Sequence, residues 1–186
     1  MVSMKRRAFV RGAAATTFLF TVGGIEQSLT PAQACAQGAA LKKLTPEQAD
    51  LLGAYVEALV PGARAAGIAQ FVDQQCSVPP HEALLGLRIA NGNPPFVDFY
   101  VKALAEIDRQ SNSRFGKSFE EMSGSDQRAF IDLLRQAKLE DWRGPQQPQV
   151  YNVLRDDGVD VVYGTVEGFA LLGVPYMPHV LPTARW

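Results

Sequence analysis

Asn93-Pro94-Pro95-Phe96-Val97-Asp98-Phe99-Tyr100-Val101-Lys102-Ala103-Leu104-Ala105-Glu106-Ile107-Asp108-Arg109-Gln110 decides the fold class of this 186-residue chain. Asparagine and two prolines punctuate its start and cap a helix. Phe96, Phe99, Tyr100, Ala103, Leu104 and Ile107 then recur at helical spacing and make one wide apolar face. The spacing predicts a helix from about Pro95 to Gln110, with that face turned to a core.

The same pattern returns on both sides. Thr45-Pro46-Glu47-Gln48 opens a helix with a capping residue, a proline at the first helical position and the glutamine of a capping box. Leu52, Tyr55, Val56 and Leu59 form its stripe, and Pro61-Gly62 ends it. A second short helix is expected over Ala65–Gln75, with Ile68, Phe71 and Val72 inward, and Ser77-Val78-Pro79-Pro80 breaks the chain after it. A third is expected from His81 to Ala90, carrying Leu84, Leu85, Leu87 and Ile89. Ser125 should cap another, with Phe130, Leu133, Leu134 and Ala137 inward. The loop Phe115-Gly116-Lys117-Ser118-Phe119 should plug the core with its aromatics, and Gly144-Pro145-Gln146-Gln147-Pro148 reads as a linker. The last helical region runs roughly from Gln149 to Leu171, with a break at Gly158; Val159, Val161 and Val162 could instead form a short strand. No repeated alternation of strands and turns is visible. The fold class is therefore all-α: a compact irregular helical bundle with an extended Pro-rich C-terminal arm.

The N-terminus differs from the rest. Lys5-Arg6-Arg7-Ala8-Phe9-Val10-Arg11 leads into a weakly apolar run, Gly12 to Ile25, and then to the small residues Ala32-Gln33-Ala34. This is the layout of a twin-arginine export signal, with Arg6, Arg7 and Phe9 as its signature. The apolar run is about 14 residues, short of the about 20 that span a bilayer, and Gly12, Thr16, Thr17, Gly23 and Gly24 dilute it. An ordinary secretory signal shares the basic start, but the arginine pair and the low hydrophobicity favour the twin-arginine route. Cys35 after Ala34 raises a lipoprotein alternative, which Ala32 and Gln33 fit poorly. Residues 1–34 are thus expected as signal peptide, 35–44 as a flexible leader, 45–172 as the helical domain and 173–186 as the arm. The location this implies is periplasmic, or membrane-associated through a complex.

Removing residues 1–34 takes four of the 18 basic residues and one of the 19 acidic residues, so the remainder carries a net charge near −4. About 150 residues are left, enough for one domain with a real core. No basic patch points to nucleic acid, and no second apolar stretch points to a stable membrane span after cleavage. The two cysteines, Cys35 and Cys76, leave three readings open. Cys76 could bridge to Cys35, bridge to another chain, or pack as a free small hydrophobe.

Catalytic equipment is sparse. The histidines are His81 and His179. No haem-attachment, zinc-protease, dinucleotide-binding or Gly-x-Ser-x-Gly motif occurs. Glu47, Glu57 and Asp73 could lie near one another, but scattered helical carboxylates usually form a solvated face. His179 has no identifiable orienting partner. The arm, Gly173-Val174-Pro175-Tyr176-Met177-Pro178-His179-Val180-Leu181-Pro182, cannot be helix and is too apolar for a free tail. Tyr176, Met177, His179, Arg185 and Trp186 are residue types that dominate binding hot spots, so they are candidates for partner binding; closing the chain's own core is the compatible alternative. An export route for folded cargo, on a chain with no cofactor motif to load, suggests an escort. A stand-alone periplasmic binding or structural protein, or a small enzyme, are the other classes.

The residues also resemble a known family, the small subunit ("subunit 3") of membrane-bound gluconate 2-dehydrogenase. The resemblance rests on the twin-arginine leader, Leu44-Thr45, the helix end Leu59-Val60-Pro61-Gly62-Ala63 and the segment Ala66-Gly67-Ile68-Ala69-Gln70-Phe71-Val72-Asp73. It continues in Phe115–Phe119 and in Gly168-Phe169 to Gly173-Val174-Pro175-Tyr176, and so covers most of the chain after the leader. It implies a non-catalytic subunit that itself holds no cofactor. Its partner would be a large FAD-containing dehydrogenase subunit of the glucose–methanol–choline type, acting on a sugar or sugar acid. A multihaem cytochrome c subunit with haem c often completes such complexes, and the large subunit typically travels on the small one's export signal. The close of the chain, Pro178-His179-Val180-Leu181-Pro182, departs from the family's glycine-rich, aromatic ending.

Overall fold

The computed structural model describes residues 17–174. The helical domain is built from α2 (Pro46–Leu59), α3 (Ile68–Gln75), the single turn α4 (Gly86–Ile89), α5 (Val97–Phe115), a 3-10 turn (Phe119–Glu121), α6 (Gly124–Arg135), α7 (Gln147–Tyr163) and α8 (Val166–Leu171). Ahead of it stand a hairpin, β1 (Phe18–Val22) and β2 (Ile25–Leu29), and a short helix α1 (Pro31–Ala36). The fold is mostly helical, as the stripes predict.

Local chemistry explains where the helices begin and end. Thr45 caps α2 through the expected capping box with Gln48, and Pro46 occupies its first turn. α5 outruns its expected end by more than a turn and stops at Gly116, whose left-handed backbone (φ 68°) suits glycine. Ser123, two residues before the expected Ser125, caps α6. α3 begins three residues later than expected because Gly67, at φ 81°, bends the chain into it. The helix expected over residues 81–90 shrinks to Gly86–Ile89; before it the Glu82 N–H closes a turn on the Pro79 carbonyl, and Leu85 is extended. Gly158 does not break α7, and no strand forms at Val159–Val162. A Cβ at Gly158 would press on Val56 and Val60 of α2, so the missing side chain lets two helices approach.

The core is continuous through the domain. Leu52, Tyr55, Ile68, Tyr100, Leu104, Ile107, Phe119, Phe130, Leu134 and Leu154 are fully buried, and each apolar one contributes about 1.5–3 kcal/mol before ordering costs. Phe119 does plug it, with its ring 5.2 Å from Tyr55 and 5.7 Å from Phe130.

In the N-terminal region the structure shows two features that composition does not suggest. The second half of the apolar run is a hairpin. Phe18 pairs with Leu29 and Val22 with Ile25, around a Gly23-Gly24 turn with positive φ at both positions. Nor is the stretch 35–44 a loose leader. α1 carries a full Thr30–Gln33 capping box and runs into it. Leu44 at its far end is buried, and the N–H groups of Lys42, Lys43 and Leu44 donate to the Asp73 carboxylate at 2.8, 2.7 and 2.8 Å. One buried carboxylate on α3 therefore satisfies three backbone donors that water would otherwise have to reach.

Candidate functional site

The Asp73 carboxylate is spent on the fold rather than on a solvated face, and Glu57 is used the same way. Glu57 sits at the end of α2 and accepts from the N–H groups of Gly62 and Arg64 at 2.8 and 2.9 Å. Glu47 lies in the first turn of α2. These three carboxylates do not form an acid–base pair.

A second buried carboxylate lies outside the residues that motif and spacing single out. Asp157 on α7 is fully buried. The Tyr100 hydroxyl of α5 donates to one of its oxygens at 2.6 Å, and the N–H of Gly86, at the start of α4, donates to the other at 2.7 Å. A signal for it exists in the chain: Asp157 falls on the stripe of Val150, Val153, Leu154 and Val161, the buried face of α7. Among the described residues no basic side chain pairs with it. Burial pushes its carboxyl up to about 7, the charges of Asp160 and Asp156 add to the rise, and the two hydrogen bonds oppose it. Tyr100 is pushed well above its ordinary range by burial and by the carboxylate beside it. Tyr100 too is sealed from solvent, so the pair, with Gly86, clips three helices together.

This carboxyl makes stability depend on pH. Unfolded, it titrates near 3.8; folded, near 7. Between those values the folded chain keeps a proton that the unfolded chain releases. Its contribution to folding stability therefore falls as pH rises from about 4 to about 7, by up to about 4 kcal/mol, and is level above. Asp157→Asn is expected to flatten that slope. Urea denaturation of both proteins at about pH 5 and about pH 8 measures it, and an unchanged slope in the variant would count against the assignment.

A cleft of about 240 Å³ opens where the hairpin meets the end of α7, between Phe18, Pro31, Phe71, Leu84, Asp160 and Thr165. That is below the roughly 300 Å³ at which small-molecule sites begin. Burial, with Asp156 adding to it, raises the Asp160 carboxyl in its wall. Beyond the cleft the chain turns back on itself. Thr165 caps α8, and Gly168 lets α8 pass against the backbone of Val162 and Tyr163. α8 then ends in an apolar run open to solvent, with Leu171 76 %, Leu172 57 % and Val174 48 % exposed.

The sequence-predicted site residues divide sharply. Arg6, Arg7 and Phe9 lie outside the described residues, and so do Tyr176, Met177, His179, Arg185 and Trp186. His81 is exposed, 3.5 Å from Glu82. Cys35 and Cys76 are both free thiols. Cys35 Sγ lies 3.6 Å from the Arg64 carbonyl. Burial pushes the Cys76 thiol up to about 12, with Asp157 and Asp73 reinforcing the shift; a thiolate, the form that attacks disulfides, is disfavoured there. Among the described residues no three His, Cys, Asp or Glu side chains converge as metal ligands, and no helix is long and apolar enough to cross a membrane.

In a comparison with known families, the model described as gluconate 2-dehydrogenase subunit 3 matches residues 46–178. Comparison with curated proteins and with solved structures finds no match.

Proposed function

Because the chain belongs to the gluconate 2-dehydrogenase subunit 3 family, we propose that it is the small, non-catalytic subunit of a dehydrogenase complex, which escorts and stabilises the catalytic subunit. The partner in this reading is a large FAD-containing flavoprotein of the glucose–methanol–choline type that oxidises a sugar or sugar acid. A multihaem cytochrome c subunit carries the electrons onward. The twin-arginine leader exports the folded pair to the periplasm, where the small subunit itself holds no cofactor.

The observation that carries the reading is the apolar end of α8. Leu171, Leu172 and Val174 are exposed in succession, and the chain continues from them into Tyr176, Met177, His179, Arg185 and Trp186. Exposed apolar runs of this kind mark interaction sites, and the tyrosine, arginine and tryptophan beyond them are the commonest anchors of such sites. Covering the run removes apolar surface from water at about 25 cal/mol per Å².

Deleting residues 174–186 tests the reading. Capture of the flavoprotein by the tagged small subunit is expected to fall at least about tenfold, which corresponds to about 1.4 kcal/mol. The melting temperature of the isolated small subunit should move much less, because the main core among the described residues lies between Leu44 and Val161. Unchanged capture with a collapsed melt would mean that the arm closes the subunit's own core.

A further inference from the structure

We infer that residues 17–34 stay in the mature protein as part of its fold, and that Ala32-Gln33-Ala34 is not a signal-peptidase site. Any trimming of the leader then falls upstream of residue 17.

Peptidases cut extended, accessible chain. Cutting after Ala34 would sever α1 between its fourth and fifth residues, inside a helix fixed by the Thr30–Gln33 capping box and Pro31. Ala34 itself has no exposed surface. It belongs to a small core of its own with Phe20, Leu29 and Ala39, so residues on both sides of that bond are packed together. Backbone hydrogen bonds cross it as well: Gln37 N–H donates to the Gln33 carbonyl at 3.0 Å, Ala39 N–H to the Ala34 carbonyl at 2.9 Å, and Ala40 N–H to the Thr21 carbonyl in β1 at 2.8 Å.

The helical domain is also shaped to receive this segment. Phe18 packs on Phe71 of α3 at 6.0 Å between ring centres. Gly67 has no room for a side chain, because a Cβ there would overlap the Pro31 carbonyl at the start of α1. Removing residues 1–34 would uncover Phe71 and empty the contact that Gly67 is shaped for. The Gly23-Gly24 pair, which dilutes the run as a signal, is what a two-residue hairpin turn requires.

The inference concerns the fold and holds whichever partner the chain carries. Intact mass and N-terminal sequencing of the full chain, recovered from the periplasm, test it. A first residue at or before position 17 is expected; a start anywhere from 18 to 35 overturns it. If the chain never leaves the cytoplasm, the export reading fails and thermal melts decide this one. Residues 35–186 are then expected to melt roughly 10 °C or more below residues 15–186, or not to fold cooperatively. Equal melting temperatures overturn the inference.

Discussion

Exchanging Arg6 and Arg7 together for lysine is expected to abolish delivery of both this chain and its dehydrogenase partner to the periplasm. The substitution keeps both positive charges. An ordinary secretory leader needs only a basic start, so it should tolerate the change. A receptor that reads paired guanidinium groups should not, because a lysine ammonium offers neither the planar fork nor its spread of donors. The readout is the partner's flavin and dye-linked activity in periplasmic and cytoplasmic fractions. Loss of at least about tenfold from the periplasm, with folded flavoprotein retained inside, is the expected pattern. A partner that reaches the periplasm at normal levels would end the escort reading, whatever became of the small subunit.

Gly67→Ala is expected to cost the folded chain about 2–4 kcal/mol. Two effects combine. The left-handed backbone at φ 81° costs a residue with a Cβ about 1 kcal/mol. The methyl group must then displace the Pro31 carbonyl, which is backbone and cannot swing aside as a flexible side chain would; overpacking of that kind costs about 1–3 kcal/mol more. Gly116→Ala isolates the first effect. Gly116 has a similar φ of 68° with nothing within 4 Å of its would-be Cβ, so that variant should lose only about 1 kcal/mol. Denaturant midpoints of the three proteins measure the difference. Equal losses at the two glycines would mean that α1 is not seated on Gly67.

Much of the domain can be read directly from residue order, and the reasons are local. The α2 start needs only Thr45, Pro46 and Gln48, all within four positions, and the capping box forms as expected. The α5 face is set by a 3.6-residue period that no neighbour contradicts. Phe119 is the large apolar residue that closes a Gly-Lys-Ser loop, and it is buried. The features that residue order does not reveal depend on context. Residues 18–29 carry two signals at once. Their composition, downstream of an arginine pair, suits an apolar leader. Their order, aromatics at Phe18 and Phe20 followed by two glycines, suits a hairpin, and the fold follows the order because Phe18 and Phe20 have Phe71 and Ala39 to cover. Asp157 stands in the run Asp156-Asp157-Gly158-Val159-Asp160, where three carboxylates look alike. Only the register of Val153, Leu154 and Val161 sets one of them inside. The chemistry expected at both chain ends depends on residues outside the described ones, so neither helical period nor packing bears on it.

The small cleft at the hairpin also fixes where the two ends of the domain lie. Phe18, at the root of the leader, and Thr165, at the root of the helix that feeds the arm, line the same opening. The segment that follows the leader and the helix that precedes the arm therefore meet at one opening. In the proposed complex, handle and cargo grip are both tethered to that opening. Lengthening the segment between residues 164 and 174 would move the cargo away from the handle without touching either one. In such a subunit, the spacing between load and tag becomes a property that can be varied independently of affinity.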